Sequence, residues 1–507
     1  MNKCVSLLTA ATWLTATAAA QPSEAPSRPD TPTFVGTAGL PAAFDGTIAE
    51  RPMTLDEALF VTLTENPALA ASDYALRAAA EERRAAVGLR LPQLALTGAY
   101  AYLDKDIGVD LNRAKGTFDR LTSELLSSGL IPPSLIPSIQ GLLQPILESN
   151  WNLKMQDRSL GFIGGEVTLP IWMGGRIGAA IRAARLNEQT LHLQRQGQRC
   201  ALVSQVVERY FGLALALQVV EVRRQVVAGV RSHLDDAVEL ERNGVIAASE
   251  RLYAEVKMAE AERDLEDARL QVATIRSALS GTLGGAEAGT PVTAMFLLDR
   301  LEPLSFYRTL AEEHNPLLGT VSLKRQLAEE GVKVKRAEFL PQIVAMGGGS
   351  FYNYQVSGIV PRWAVGIGIR IKLFDGLQRE RNYAAARQTV LQVGELEREA
   401  ATGIAVLVEQ RYNELANFRS RIASLEHALS FAEEYLRMKE IAFREGIAPS
   451  SEVIDAELNL AAIRTERLQA AYGFDLALAR LLETTGAADC YASYLRRRDA
   501  RPVLFDR

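Results

Sequence analysis

The second half of the chain repeats the first, and this constrains the fold more than any other feature. Asn66-Pro67 and Leu91-Pro92-Gln93 return as Asn315-Pro316 and Leu340-Pro341-Gln342, displaced by 249 positions. Tyr210, Gly244, Glu250 and Ala254-Glu255 return as Tyr412, Gly446, Glu452 and Ala456-Glu457, displaced by 202. The difference, 249 − 202 = 47, measures one insertion between these blocks in the first copy. A duplication this long predicts two similar units, 51–290 and 291–486, followed by a tail at 487–507.

Each copy opens with helical spacing. From Leu55 the apolar pattern is broken at Asn66-Pro67, because the residue before proline is pushed out of helical geometry and proline itself starts a helix well. The next helix runs to about Arg90 and stops at Leu91-Pro92, and the second copy breaks and stops at the matching prolines. Beyond each stop the period is two. Leu94, Leu96, Ala99 and Tyr100, followed by Tyr102, form an imperfect row, while Phe162, Gly164, Glu166 and Thr168 alternate with Ile163, Gly165, Val167 and Leu169. Val365, Ile367, Ile369, Ile371 and Leu373 alternate with Ala364, Gly366, Gly368, Arg370 and Lys372. Apolar rows opposite small and charged ones suit strands with lipid on one face and water on the other, although a half-buried soluble sheet allows the same alternation. Tyr100, Tyr102, Trp172, Tyr352, Tyr354 and Trp363 near the strand ends resemble an interfacial aromatic girdle.

Two strands per copy make four per chain. Four strands cannot close a membrane barrel, and open edges in lipid leave backbone groups unpaired at several kcal/mol each. If these strands span a membrane, several chains must share one barrel.

Helices of unusual length follow. From about Arg176 to Asn243 there is no proline, and Val203, Val206, Tyr210, Leu213, Leu217 and Val220 step by three and four residues as a heptad-like seam. At roughly 1.5 Å per residue such a helix is about 100 Å long. It carries too many charges to cross lipid, so a projecting column fits better. The matching segment runs from about Arg379 to Arg444. The columns turn at Gly244-Val245-Ile246-Ala247-Ala248-Ser249 and at Gly446-Ile447-Ala448-Pro449-Ser450-Ser451. Glycine ends a helix there, and Ser249, Ser450 or Ser451 is placed to cap the next. Matched turns bearing small apolar groups predict docking tips.

Lys3, the apolar run from Val5 to Leu14 and Ala18-Ala19-Ala20 read as a signal peptide over 1–20, ahead of a Pro-, Ser- and Gly-rich leader over 21–50. No later segment reads as a transmembrane helix. Cys200 and Cys490 lack CxxC spacing and are expected to be two buried or isolated thiols, although an oxidising compartment also allows a disulfide between them. A net charge of −5 with interleaved signs does not select nucleic acid as a partner. Four histidines, at 192, 233, 314 and 427, form no ligand spacing, so no metal or other cofactor is expected. With no Ser/His/Asp or Cys/His set and no phosphate-binding loop, no catalytic residues are expected and an enzyme is a poor fit.

Taken in order, these motifs make residues 52–486 resemble the TolC-like outer membrane efflux proteins, also called outer membrane factors. The resemblance rests on Leu55-Asp56-Glu57-Ala58-Leu59, Asn66-Pro67, both Leu-Pro-Gln stops and both glycine turns. It also includes Pro170-Ile171-Trp172-Met173-Gly174-Gly175 and its counterpart Lys372-Leu373-Phe374-Asp375-Gly376. It implies a mainly α fold with a transmembrane β-barrel portion. Four strands per chain would form a shared twelve-stranded barrel in a homotrimer, continued by a long periplasmic α-helical tunnel. The implied place is the outer membrane of a Gram-negative cell, among its lipids. The implied partners are a periplasmic adaptor protein and, through it, an inner-membrane transporter.

On this resemblance the adaptor-docking tips correspond to Gly244, Val245 and Ile246 and to Gly446, Ile447 and Ala448. The acidic periplasmic constriction corresponds to Glu452 and Asp455; the first is often Asp in the family, and Glu keeps the charge on a longer side chain. The surplus maps to 104–150, between the first two strands and facing outside the cell, as an extended surface loop or an extracellular lid. Its apolar content, with Ile131-Pro132-Pro133, Leu135-Ile136-Pro137 and Leu142-Leu143-Gln144-Pro145, predicts that it packs on something. The expected function is a passive exit channel for efflux or type I secretion. The competing expectation is a soluble periplasmic adaptor or spacer built from coiled-coil hairpins.

Overall fold

The computed structural model describes residues 51–503 apart from Ile359 and Gly446. The signal and leader readings at 1–20 and 21–50, the glycine of the second tip and residues 504–507 therefore lie outside the described residues.

The chain enters through β1 (Pro52–Met53), α1 (Leu55–Glu65) and α2 (Pro67–Gly88), then forms β2 (Gln93–Tyr102). An excursion of β3 (Ile107–Asp110), α3 (Asn112–Ser127), α4 (Ile136–Glu148) and β4 (Asn152–Gln156) separates β2 from β5 (Ser159–Trp172). It reaches past the insertion read at 104–150, because the chain returns as the ribbon partner of β3. A long helix, α5 (Arg176–Arg242), and its return, α6 (Ala248–Thr282), complete the first copy. The short strands β6 (Thr290–Pro291) and β7 (Met295–Leu298) lead to α7 (Leu304–His314) and α8 (Pro316–Ala337). Then come β8 (Gln342–Tyr354), β9 (Trp363–Arg370), α9 (Gln378–Arg444) and α10 (Ser450–Thr485). A 3-10 turn (Ala488–Cys490), α11 (Tyr491–Leu495) and β10 (Ala500–Val503) follow.

α5 and α9 each span 67 residues. α2 and α8 pack along the portions next to the strands, whereas α6 and α10 return along the portions beyond; α5 touches both α8 and α10. What joins the two levels is the repeated Asn-Pro. Asn66 Oδ1 accepts from the Ala68 N–H and caps α2, while its Nδ2 donates to Thr282 O at the end of α6 over 3.0 Å. Asn315 repeats the pattern: Oδ1 accepts from the N–H groups of Leu317 and Leu318, and Nδ2 donates to Thr484 O over 2.7 Å. Both asparagines are buried. Glycine completes each joint. Gly284 and Gly486 hold φ at +77° and +78°, and a Cβ there would stand 2.8 and 2.2 Å from the carbonyl oxygens of Glu65 and His314. Only glycine meets both demands.

β2, β5, β8 and β9 form an antiparallel sheet in that order, open at β2 and β9. The register gathers Leu94, Leu96, Ile163, Val167, Val365, Ile367 and Ile369 on one face. Thr97, Glu166, Thr168, Ser350 and Arg370 share the other. The apolar face has no cover among the described residues: Leu94 is 80% and Ile367 69% exposed.

The buried core lies among the helices instead, where Val206, Tyr210, Phe211 and Leu213 of α5 meet Leu468, Phe474 and Leu478 of α10. This placement corrects one expectation. Among the described residues α5 is the one helix long and apolar enough to cross a membrane, but 61% of that stretch is buried inside the bundle. Its hydrophobicity is that of a central packing helix. Tyr210 pins α5 to the parallel pair β1–β6: its hydroxyl donates to Met53 O over 2.7 Å and accepts from the N–H groups of Val292 and Thr293. Tyr412, at the same place in the second copy, instead lays its ring against Tyr307 at 6.0 Å between centroids. Residues after 486 belong to this core. β10 pairs with β7, and the buried Asp475 accepts from the Phe296 N–H and the Tyr491 hydroxyl. Burial pushes the Asp475 carboxyl well above the usual carboxylate range.

Asn315→Ala removes a cap and leaves Thr484 O without its partner, so it is expected to destabilise the fold by roughly 2 kcal/mol. Asn315→Asp keeps the acceptor, loses the donor and should fall between. Denaturant unfolding of the purified protein reads the difference, and an Ala variant as stable as the parent would contradict the role of this joint.

Candidate functional site

The ends of the long helices farthest from the sheet carry the residues singled out by the sequence. At the end of α5 the Gly244 N–H donates to Glu241 O over 2.8 Å and the Val245 N–H to Leu240 O over 2.9 Å. With φ at +70° on Gly244, this is a Schellman termination that uses up the last carbonyls of the helix. At the second tip the N–H groups of Ile447 and Ala448 both reach Ala442 O, at 2.8 and 3.2 Å. Val245 is 68% and Ile447 80% exposed, whereas Ile246 and Ala448 are half-buried. The expected serine caps are not formed. The cap positions are Ala247 and Pro449, whose extended backbones start α6 and α10 without a side-chain bond. Ser249, Ser450 and Ser451 then fall inside the first turns, where their hydroxyls are no longer placed to cap.

Glu452 and Asp455 stand exposed in the first turns of α10, and each has a partner on a different helix. Lys439 of α9 donates to Glu452 Oε2, and that bond raises the lysine's pKa. Tyr253 of α6 donates its hydroxyl to Asp455 Oδ1 over 2.6 Å. The carboxylate holds the phenol proton, so the Tyr253 pKa is pushed up to about 12. Lys257 Nζ lies 5.6 Å from the centre of the Tyr253 ring. Tyr253 and Asp455 are 202 positions apart, which is the repeat offset, so the bond joins equivalent positions of the two copies. Sequence reasoning missed Tyr253 and Lys439. Setting the two copies side by side would have paired Tyr253 with Asp455; nothing in the sequence marks Lys439.

Farther from the tips Glu457 of α10 faces His233 of α5. The Nε2 to Oε2 distance is 3.9 Å, too long for a hydrogen bond. Gly229 makes room for the carboxyl, since a Cβ there would stand 1.7 Å from Glu457 Oε1. His233 Nδ1 and Glu457 Oε2 are buried without hydrogen-bond partners. Burial, reinforced by the nearby Glu440 of α9, pushes the Glu457 carboxyl up to about 7. Burial lowers the His233 pKa against the opposing pull of Asp236 and Glu440. Both side chains therefore favour their uncharged forms. Among the described residues no group of three or more His, Cys, Asp or Glu is arranged to hold a metal. Cys200 is a buried free thiol and Cys490 an exposed one.

Known proteins resemble this chain at both levels. The family model described as outer membrane efflux protein matches residues 148–285 and 308–487. The alkaline protease secretion protein AprF of Pseudomonas aeruginosa is 24% identical over 328 residues, which cover 61% of this chain and 65% of that protein. The match thus spans less than two thirds of that curated relative's length. A membrane protein from Pseudomonas aeruginosa superposes with a TM-score of 0.68 at 16% identity, covering 85% of this chain and 90% of the other. The CmeC outer membrane channel of Campylobacter jejuni gives 0.66 at 13% identity, covering 86% of each chain. At these identities the structural likeness is one of fold.

Glu457 supplies a test by pH. In the fold its carboxyl keeps a proton up to about pH 7, while the unfolded chain releases it near the ordinary value of 4.5. The native state therefore binds the extra proton between these values, and stability present at lower pH is lost as pH rises through that window. His233 acts oppositely, losing stability as pH falls below its ordinary value of 6.5. Glu457→Gln should abolish the loss between pH 4.5 and 7. It should stabilise the protein at pH 8 by about 3 kcal/mol at most. Thermal unfolding of parent and variant across this range decides it; parallel curves would contradict the assignment.

Proposed function

This chain belongs to the outer membrane efflux protein family, and from that premise we propose that it is the outer membrane exit channel of a tripartite efflux or type I secretion system. The sheet is the observation that supports this reading best. Its apolar face is uncovered and its two edge strands are unpaired, which in hydrocarbon would cost several kcal/mol for every open backbone group. Pairing β9 of one copy with β2 of the next, three times over, closes a twelve-stranded barrel with that face toward lipid. Tyr100, Tyr102, Tyr352, Tyr354 and Trp363 then ring the end carrying the excursion, and Trp172 marks the end next to the helices. The bundle of long helices continues the barrel into the periplasm as a tunnel.

The chain is a duct, not a catalyst, and its transport is passive. The tips Gly244-Val245-Ile246 and Gly446-Ile447-Ala448 dock a periplasmic adaptor, whose inner-membrane transporter supplies the energy. Exposed Val245 and Ile447 provide the apolar contact. Glu452 and Asp455 line the constriction in this reading, as the resemblance implies. Lys439 and Tyr253 occupy the two acids, so links between helices hold the gate and the acids tune which ions enter. Both a secreted protein and small solutes fit such a duct, with the choice made by the partners.

Extraction into detergent, mass determination and bilayer recording test the proposal together. Three chains per particle and a conducting pore are expected; release without detergent and no conductance would favour the periplasmic spacer instead. In single-channel recordings at low salt, Glu452→Ala with Asp455→Ala should weaken cation selectivity, and Tyr253→Phe should lengthen openings with selectivity retained. Unchanged selectivity in the double variant would remove these acids from the constriction.

A further inference from the structure

The excursion between β2 and β5 has an apolar surface that nothing among the described residues covers. Phe118, Leu121 and Leu125 form a stripe along α3, and Leu142 and Ile146 form another along α4; all five are exposed. Among the described residues neither helix buries a single side chain. Helices of 16 and 13 residues are marginal in water by themselves, so a face of this kind calls for a partner.

The base of the excursion is built, not loose. β3 and β4 pair as an antiparallel ribbon, and Trp151 packs its ring on Phe118 at 6.0 Å while its backbone N–H donates to Asn112 Oδ1. Gln156 then ties the ribbon to the β8–β9 turn: Nε2 donates to Gln355 O, and Oε1 accepts from the Ser357 N–H over 2.8 Å. The helix pair is thereby held at the end of the sheet away from the long helices.

We propose that the apolar faces of α3 and α4 are a self-association surface, on which the helix pairs of three copies pack against one another across the outer mouth of the duct. This rests on the trimeric-barrel reading. Two observations choose a second copy over the membrane surface. The first is charge. α4 contains no Lys or Arg, and on α3 Arg113, Lys115 and Arg120 are offset by Asp119 and Glu124. A helix lying on an anionic lipid surface is instead rich in Lys and Arg. The second is continuity. The excursion leaves from β2, an edge strand that pairs with the neighbouring copy in the closed barrel, so each helix pair starts at a seam between copies. Cyclic symmetry then brings identical apolar faces to one axis.

Cysteine trapping tests this on the full chain extracted as its assembly, in a Cys4→Ser and Cys490→Ser background that leaves only the buried Cys200. Leu125→Cys and Leu142→Cys, introduced singly, should give covalent dimers on oxidation, because a disulfide forms only when two Cα atoms come within about 7 Å. Ser123→Cys, on the opposite side of α3, should give none. Replacing 112–148 with a short Gly-Ser linker should leave the number of chains in the assembly unchanged and raise its conductance several-fold. A three-chain particle with no dimers at either position, or with unaltered conductance after the replacement, overturns the proposal. So does quenching of a fluorophore on Leu142→Cys by brominated lipid in anionic vesicles, which would assign the face to the membrane surface. A particle of one chain would overturn the barrel reading first, and the mass determination separates that failure from this one.

Discussion

A buried asparagine that caps one helix while gripping the end of another is the interaction on which the rest of the structure depends. It occurs twice. Asn66 closes a loop of 216 positions to Thr282 and Asn315 one of 169 to Thr484. Those separations differ by 47, the size of the insertion. The same bond is thus made in both copies, and the excursion is accommodated inside the first loop without disturbing its closure. Because each joint seats a returning helix against the start of a short one, it sets where the long columns begin to be accompanied by α6 and α10. Glycine at 284 and 486 lets the backbones come that close.

The chemistry of the molecule is divided along its length. At the sheet, side chains sort by face, and the apolar face is left exposed. At the tips, charge is managed by bonds between helices: Lys439 with Glu452, Tyr253 with Asp455. Between them Glu457 and His233 occupy a space that suits neither charge. Each zone follows from a different period in the sequence, two for strands and three-to-four for helices, with few compromises between them.

Local pattern made much of this legible. The long helices begin and end within a residue or two of where the heptad seam and the glycines put them, and the alternation in Val365 to Ile369 matches the register of β9, which stops at Arg370 short of Ile371 and Leu373. Partners were harder to see. Periodicity assigns a residue to a face, but which helix meets that face depends on packing over hundreds of positions. Tyr253, Lys439 and Glu457 were overlooked for that reason. The serine caps failed because the extended cap backbone fell one or two residues earlier, on Ala247 and Pro449. The apolar stretch of α5 did not read as membrane-like because the charges were weighed over the whole helix, yet that stretch alone is apolar enough to span a membrane and is mostly buried in the bundle. Residues 103–158 mix prolines, glycines and short apolar runs, a composition that does not distinguish a loop from a ribbon bearing two helices.

The open edges of β2 and β9 also bear on how such a protein would reach its final state. If the barrel is shared among copies, a single chain holding half-satisfied strands cannot finish folding alone, since the last backbone bonds come from its neighbours. On the trimeric reading, completion is then a meeting of three bodies, and its rate rises steeply with the local density of newly exported chains. Cells producing little of the protein would hold a larger share as unfinished single chains, exposed to proteases and in need of a chaperone. The geometry of one sheet would thereby set a minimum abundance below which pores are scarce.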